Sequence, residues 1–168
     1  MLERGDELRQ FSEVYEQYSA PVHRFLLSLT RDEAMAEELT QETLYRAFLH
    51  IDRFKGQASL YGWLCQIAKN LYFNEYKKSK RRADEPAWDD TEAGDDFTIR
   101  MLQKEQAIMV HRILHALPEP YKEVFTLKVF GELKFREIAS LFGKTESWAK
   151  MTYYRAKERI VMEMEARE

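Results

Sequence analysis

The stretch Lys134-Phe135-Arg136-Glu137-Ile138-Ala139-Ser140-Leu141-Phe142-Gly143-Lys144-Thr145-Glu146-Ser147-Trp148-Ala149-Lys150-Met151-Thr152-Tyr153-Tyr154-Arg155-Ala156-Lys157-Glu158-Arg159 contains two runs of helical period separated by one glycine. Phe135, Ile138, Ala139 and Phe142 recur at steps of three and four and form a short helix that stops at Gly143. Thr145 or Ser147 can cap a second helix, from Trp148 to about Met164. On it Ala149, Tyr153, Ala156 and Ile160 share one face, while Lys150, Met151, Tyr154, Arg155 and Lys157 point elsewhere. A short helix, a tight turn and a second helix predict a helix-turn-helix, whose second helix enters the DNA major groove N-terminus first. Lysine and arginine suit phosphate oxygens and guanine edges, and a helix N-terminus with hydroxyls at Thr145 and Ser147 suits phosphate. On this segment alone, a helical hairpin with a solvated charged face is the competing reading.

Working upstream, Tyr121 to Phe130 reads as a helix ended by Gly131, and Ile99, Leu102, Ala107, Val110, Ile113, Leu114 and Leu117 as another, stopped by Leu117-Pro118-Glu119-Pro120. The N-terminal half carries the same period. Phe11, Val14, Tyr15 and Tyr18 are followed by Val22, Phe25, Leu26 and Leu29, with Pro21 predicting a kink or the first turn of a new helix. Asp32 stands where an N-cap belongs, before one apolar face comprising Ala36, Leu39, Thr43, Leu44, Phe48 and Ile51 and running through to Phe54. A polar loop over 55–59 leads into Leu60, Trp63, Leu64, Ile67, Ala68, Leu71 and Tyr72. No segment alternates with a strand period and no repeat of 20 to 50 residues is visible. The fold class is therefore all-α, with a three- or four-helix bundle first and a helix-turn-helix domain second.

Charge marks the boundary between them. Residues 1–82 hold 13 basic and 12 acidic side chains, 83–99 hold none and seven, and 100–168 hold 13 and ten, so the overall −3 divides into +1, −7 and +3. The acidic stretch contains Pro86 and Gly94 and few apolar side chains, too few to offset its ordering entropy, and it predicts a mobile linker. The expected domains are 1–82 and 100–168, joined by 83–99. Before the linker, Lys77-Lys78-Ser79-Lys80-Arg81-Arg82 places five cations in six residues. It continues a helix carrying Trp63, Lys69, Asn70, Tyr72, Phe73, Asn74 and Tyr76, a mixture suited to single-stranded nucleic acid because every unpaired base offers a face to stack on. Most of these aromatics are expected in the core, and the cations also fit a plain solvated surface.

Other classes fit less well. Among 168 residues the longest apolar run is four, at 107–110, and the polar N-terminus has no signal-peptide core, so the expectation is a cytoplasmic chain without direct membrane insertion. A single cysteine excludes a disulfide framework and multi-cysteine zinc patterns, and Cys65, among Trp63, Leu64 and Ile67, reads as a buried inert thiol. Glu37, Glu38 and Glu42 lack the Glu-x-x-His partner of helical metal sites. His111 and His115 have metal-pair spacing but no glutamate beside the first histidine. Both sets read as solvated helix faces. No glycine-rich phosphate loop and no nucleophile with a base at motif spacing is present. The expectation is no catalytic residue, metal, cofactor or small-molecule substrate.

Ala36-Glu37-Glu38-Leu39-Thr40-Gln41-Glu42-Thr43-Leu44-Tyr45-Arg46-Ala47-Phe48 resembles the D/E-L-T-Q-E-T/V-F-x-R-A-W pattern of the extracytoplasmic-function (ECF) sigma factors, promoter-specificity subunits of bacterial RNA polymerase. Leu117-Pro118 with Tyr121, Val124 and Phe125 resembles the opening of that family's fourth conserved region, and 134–159 its helix-turn-helix. The likeness spans roughly residues 8 to 165. It implies a sigma region 2 bundle and a sigma region 4 domain, with bacterial core RNA polymerase, promoter DNA and an anti-sigma factor as partners, in a stress or envelope response. Glu38, Gln41 and Glu42 match positions that contact the clamp of the polymerase's largest subunit. Phe54, Lys55, Ser59 and Trp63 fall in the region that melts the −10 element, where a flipped base is held. Lys69, Asn70, Asn74, Lys77, Lys78, Arg81 and Arg82 are implied contacts to strand and backbone. Thr145, Ser147, Trp148, Lys150, Met151, Thr152, Tyr154, Arg155 and Lys157 are the implied −35 contacts. The commoner pattern G-T-V-K/R-S-R-L-x-R-A-R is broken by Met151 and Thr152, which remove a hydroxyl and a cation, and by Trp148, which adds a ring. Two further classes remain: a dimeric helix-turn-helix regulator, which predicts self-association and palindromic sites and leaves the Glu38 to Phe48 motif unexplained, and a helical metalloenzyme, which requires a bound metal.

Overall fold

The computed structural model describes residues 4–54, 56, 58–82 and 97–167, with backbone alone at 4, 80–82 and 97–104. Its described elements are seven α-helices and one 3-10 turn, with no strand among them: α1 (Arg4–Thr30), α2 (Glu33–Leu49), the turn Ile51–Arg53, α3 (Leu60–Arg82), α4 (Phe97–Ala116), α5 (Tyr121–Val129), α6 (Phe135–Phe142) and α7 (Glu146–Ala166). They belong to two compact units, Met1–Pro86 and Ala87–Glu168. The acidic stretch over 83–96 lies outside the described residues. Helix α4 begins at Phe97, inside the stretch expected as linker. No helix among the described residues is long and apolar enough to cross a membrane.

In the first unit α1, α2 and α3 each pack on the other two. Helix α1 runs through Pro21 as one continuous helix, so no new helix starts there. An interior proline costs about 3 kcal/mol. Val22, Phe25, Leu26 and Leu29 immediately follow it and are essentially inaccessible to solvent. Burying four such side chains contributes about 1.5–3 kcal/mol each, which outweighs the missing backbone bond. The chain leaves α1 at Arg31, held at φ 54°, and enters α2 at Asp32, whose carboxylate accepts from Ala34 N at 3.0 Å and Met35 N at 3.2 Å. Helix α2 buries Ala36, Leu39, Thr40, Thr43, Leu44 and Ala47. The hydroxyls of Thr40 and Thr43 donate to Ala36 O and Leu39 O at 2.6 and 2.7 Å, so these two polar groups are buried satisfied. The expected apolar face overran the helix, because α2 ends at Leu49 and Ile51 is 46 % exposed in the 3-10 turn.

In the second unit α4, α5 and α6 all pack on α7. Ile113, Leu114, Leu117, Phe125, Ala156 and Ile160 form its core cluster, flanked by Tyr121, Phe130 and Tyr153. Two glycines shape the chain around it. A Cβ at Gly131 would sit 2.7 Å from the Leu127 carbonyl oxygen, so the approach of α5's end to the following loop requires glycine. Gly143 has φ 64° and ψ 34°, and past it Lys144 N donates to Ala139 O at 2.9 Å, closing α6 with a left-handed cap. Thr145 then caps α7, its Oγ1 accepting from Trp148 N at 3.1 Å.

These turns make a stability prediction. Gly143→Ala, where added atoms meet open space and only backbone strain is incurred, should lose about 1 kcal/mol in urea unfolding. Gly131→Ala, which drives a methyl into a backbone carbonyl, should lose more than Gly143→Ala in the same measurement.

Candidate nucleic-acid interface

A helix advances about 100° per residue, so the face each element buries decides which side chains remain for a partner. On α2, opposite its six buried residues, Glu38 and Gln41 are exposed and Glu42 is half-buried. The Glu42 carboxylate accepts from Arg46 Nε at 2.9 Å, an i,i+4 surface pair. Tyr45 and Leu49, 56 % and 51 % exposed, continue the same line at four-residue steps. The sequence reading missed these two. Their signal was present as apolar residues out of phase with Leu44 and Ala47.

On the second interface the loop and α3 meet through Phe54 and Trp63, whose ring centroids lie 5.5 Å apart at 38°. Both rings are half-buried, each leaving a partial face open. Ser59 fixes the start of α3, its Oγ accepting from Gly62 N at 3.1 Å. From Trp63 one exposed line continues through Asn70, Asn74 and Lys77, with Lys78 exposed beside it. Lys69 departs from the expectation: it is buried, 5 % exposed, on the side of the helix shared with Cys65 and Tyr72. Its phase on α3 overrides its charge. Cys65 is fully buried, as expected. Burial pushes the Tyr72 phenol well above its ordinary range, with Tyr76 adding to the shift, so this aromatic belongs to the core. Lys55 and the side chains of Arg81 and Arg82 lie outside the described residues.

The third interface is α7. Thr145, Ser147, Lys150, Met151, Tyr154, Arg155 and Lys157 are exposed. Lys150 Nζ stands 3.8 Å from Glu146 Oε1, a surface pair worth little and easily exchanged for another anion. Trp148 is half-buried with its ring 5.2 Å from that of Phe142, so it locks α7 against α6 and shows only part of its surface. Thr152, expected as a DNA contact, is 6 % exposed between Ala149 and Ala156 on the packing face. The one-residue step from Met151 to Thr152 turns the side chain inward. His111 is also a correction. It is buried, 3 % exposed, with its ring 5.1 Å from Phe130, and so lies on no solvated face. Among the described residues no three His, Cys, Asp or Glu side chains cluster as a metal site would require.

The first unit is thus a helical bundle with a half-buried aromatic pair beside exposed amides and lysines, and the second a helix-turn-helix whose outer face carries Lys150, Arg155 and Lys157. Sigma-70 region 2 matches residues 14–82 and Sigma-70, region 4 matches 107–160. The ECF RNA polymerase sigma factor SigM of Bacillus subtilis (strain 168) is 31% identical over 157 residues, covering 88% of this chain and 91% of that protein. The chain belongs to the ECF RNA polymerase sigma factors, and so is a transcription initiation factor that directs bacterial core RNA polymerase to promoters. Two solved structures share the fold. CnrH in complex with the cytosolic domain of CnrY matches with a TM-score of 0.60 at 16% identity, covering 96% of this chain and 91% of that one. The sigma factor RpoE of Bartonella quintana, in complex with the anti-sigma factor NepR, matches with a TM-score of 0.55 at 22% identity, covering 90% and 94%.

The exposed line on α3 predicts a salt signature. Replacing Lys77 and Lys78 together with alanine should reduce the slope of log affinity against log salt for single-stranded DNA by about 1.4, at roughly 0.7 per phosphate contact. Lys69→Met, a change at a buried position, should leave that slope unaltered.

Proposed function

We propose that the first unit grips core polymerase through α2 and opens the −10 element at the start of α3, while the second reads the −35 element through α7. The corresponding division of the chain is 1–82, 83–99 and 100–168, with α4 reaching back across the last boundary to Phe97. The observation that carries this reading is the outer line of α2. Six residues of one helix are buried, and Glu38, Gln41, Glu42, Tyr45 and Leu49 stand together on the other side. An exposed tyrosine and leucine bordered by carboxylates and an amide suit a protein surface carrying cations around an apolar centre. They do not suit a nucleic acid, which carboxylates repel.

The remaining contacts divide by chemistry. The partly open Phe54–Trp63 pair supplies a stacking surface for a base extruded from the −10 duplex, and Asn70, Asn74, Lys77 and Lys78 follow the strand that carries it. Extrusion costs a few kcal/mol, and stacking returns about 1–3 kcal/mol per base, so backbone neutralisation by the lysines supplies the rest. On α7 the exposed Thr145 and Ser147 side chains at the helix N-terminus hold phosphate, while Arg155 reaches a base edge or a second phosphate. Promoter choice is then decided by differential binding, and the protein is not an enzyme: the reading needs no metal, cofactor or small-molecule substrate. It acts in the cytoplasm, where polymerase and promoters meet. An anti-sigma factor, as in the Bartonella quintana complex, restrains it until a stress or envelope signal arrives. A partner that covers the outer line of α2 or of α7 is enough to block initiation.

Glu38→Lys should abolish pull-down of core polymerase while the far-ultraviolet circular dichroism stays that of the parent, because Glu38 is exposed on a helix. Retention of core would remove the α2 assignment. Arg155→Ala should leave core binding intact and weaken promoter-specific transcription by about 1–3 kcal/mol if the guanidinium reads a base. A uniform loss on every promoter would identify a phosphate contact instead.

A further inference from the structure

Met151 is 53 % exposed in the second turn of α7, and the packing of its unit does not call for it there. The inner face is filled by Ala149, Thr152 and Ala156, all buried. Four-residue steps place Ser147, Met151 and Arg155 in one outer line, and Tyr154, 58 % exposed, borders the same line one turn on from Met151. In the reading above α7 lies in the major groove with Arg155 on its DNA-facing side, so Met151 lies on that side too, nearer the helix N-terminus. A thioether donates no hydrogen bond and accepts one only weakly. It therefore has no match among the N7, O6, O4, N6 and N4 groups that mark base edges in the major groove. The single apolar group displayed there by the four ordinary bases is the C5 methyl of thymine.

The geometry points to Met151 as a thymine reader. The −35 element of this protein holds an A·T pair whose thymine methyl packs on the Met151 side chain, one helical turn from the contact of Arg155. A cytosine amino group or guanine oxygen at that place loses water to a group that cannot replace its hydrogen bond, and this excludes G·C pairs. The inference rests on α7 occupying the major groove.

The test uses the full chain with bacterial core RNA polymerase. A −35 element is first selected from a randomised promoter library, and each of its thymines is then replaced in turn by deoxyuridine, which removes only the methyl. One such replacement should weaken holoenzyme binding about fourfold, the worth of one buried carbon. The same replacement should leave the Met151→Ala protein unaffected, and Met151→Ser should relax base preference at that position alone. A selected element with no A·T pair, or equal losses in parent and Met151→Ala at every deoxyuridine, would overturn the inference. Scrambling the whole element separates the two levels. If scrambling costs nothing, α7 does not read DNA and both readings fall; if scrambling is costly but no deoxyuridine is, only the role of Met151 falls.

Discussion

Every other helix of the second unit packs against one side of α7, and most of that side is built from small residues. Ala149, Thr152 and Ala156 are buried there, with Ile160 closing the line, and α4, α5 and α6 all meet it. Helix separation follows the size of the side chains at the contact, so small residues let three neighbours crowd one face. The opposite face is left clear over two turns. In the first unit α2 follows the same rule with Ala36, Thr40, Thr43 and Ala47 inside, and the line that packing does not need is again left exposed. In both cases the rotational phase of one helix sets the core and the exposed line together, and a shift of two residues, about 200°, would nearly exchange them.

Phase alone does not place α7; its direction depends on the turn before it. Gly143 ends α6 in the left-handed region, and Thr145 begins α7 with a side-chain cap only two residues later. So short a connection leaves little freedom in the angle between the helices, and the Phe142–Trp148 ring contact pins what remains. The result is a helix whose first turn is capped by Thr145 and leaves the side chains of Thr145 and Ser147 exposed. That is where a phosphate is best held.

These turns were legible because their chemistry is local. Asp32, Gly143 and Thr145 act through backbone atoms within four residues of themselves, and each was named from its residue type and place. The all-helical class was equally plain, since the apolar period persisted through every element. What failed was the assignment of side chains by type alone. Lys69 was taken for a strand contact because it is a cation, yet it stands at the phase of Cys65 and Tyr72. His111 is likewise polar and on a packing face, and Thr152, expected as a DNA contact only through the family resemblance, lies on one too. At Pro21 the local penalty is fixed, but whether the helix continues depends on the packing of Val22, Phe25, Leu26 and Leu29, which no local window contains. Tyr45 and Leu49 were passed over because apolar residues were assumed to belong inside.

The broken motif at positions 151 and 152 acquires a physical meaning from this. Thr152 is inward, so the cation missing there is no loss to the outer face, and a small buried side chain keeps α7 close to its neighbours. Met151 is outward, so the change there alters what the groove face can recognise. A single apolar contact discriminates bases only modestly, but it does not act alone. Two DNA-binding modules on one chain make the second contact intramolecular, and the joint affinity exceeds either part. On the proposed reading, specificity at the promoter is shared between a stacked base near Trp63 and the outer line of α7. A sequence can depart from its family at one of these places and still direct initiation, provided the other, and the grip of α2 on the polymerase, are kept.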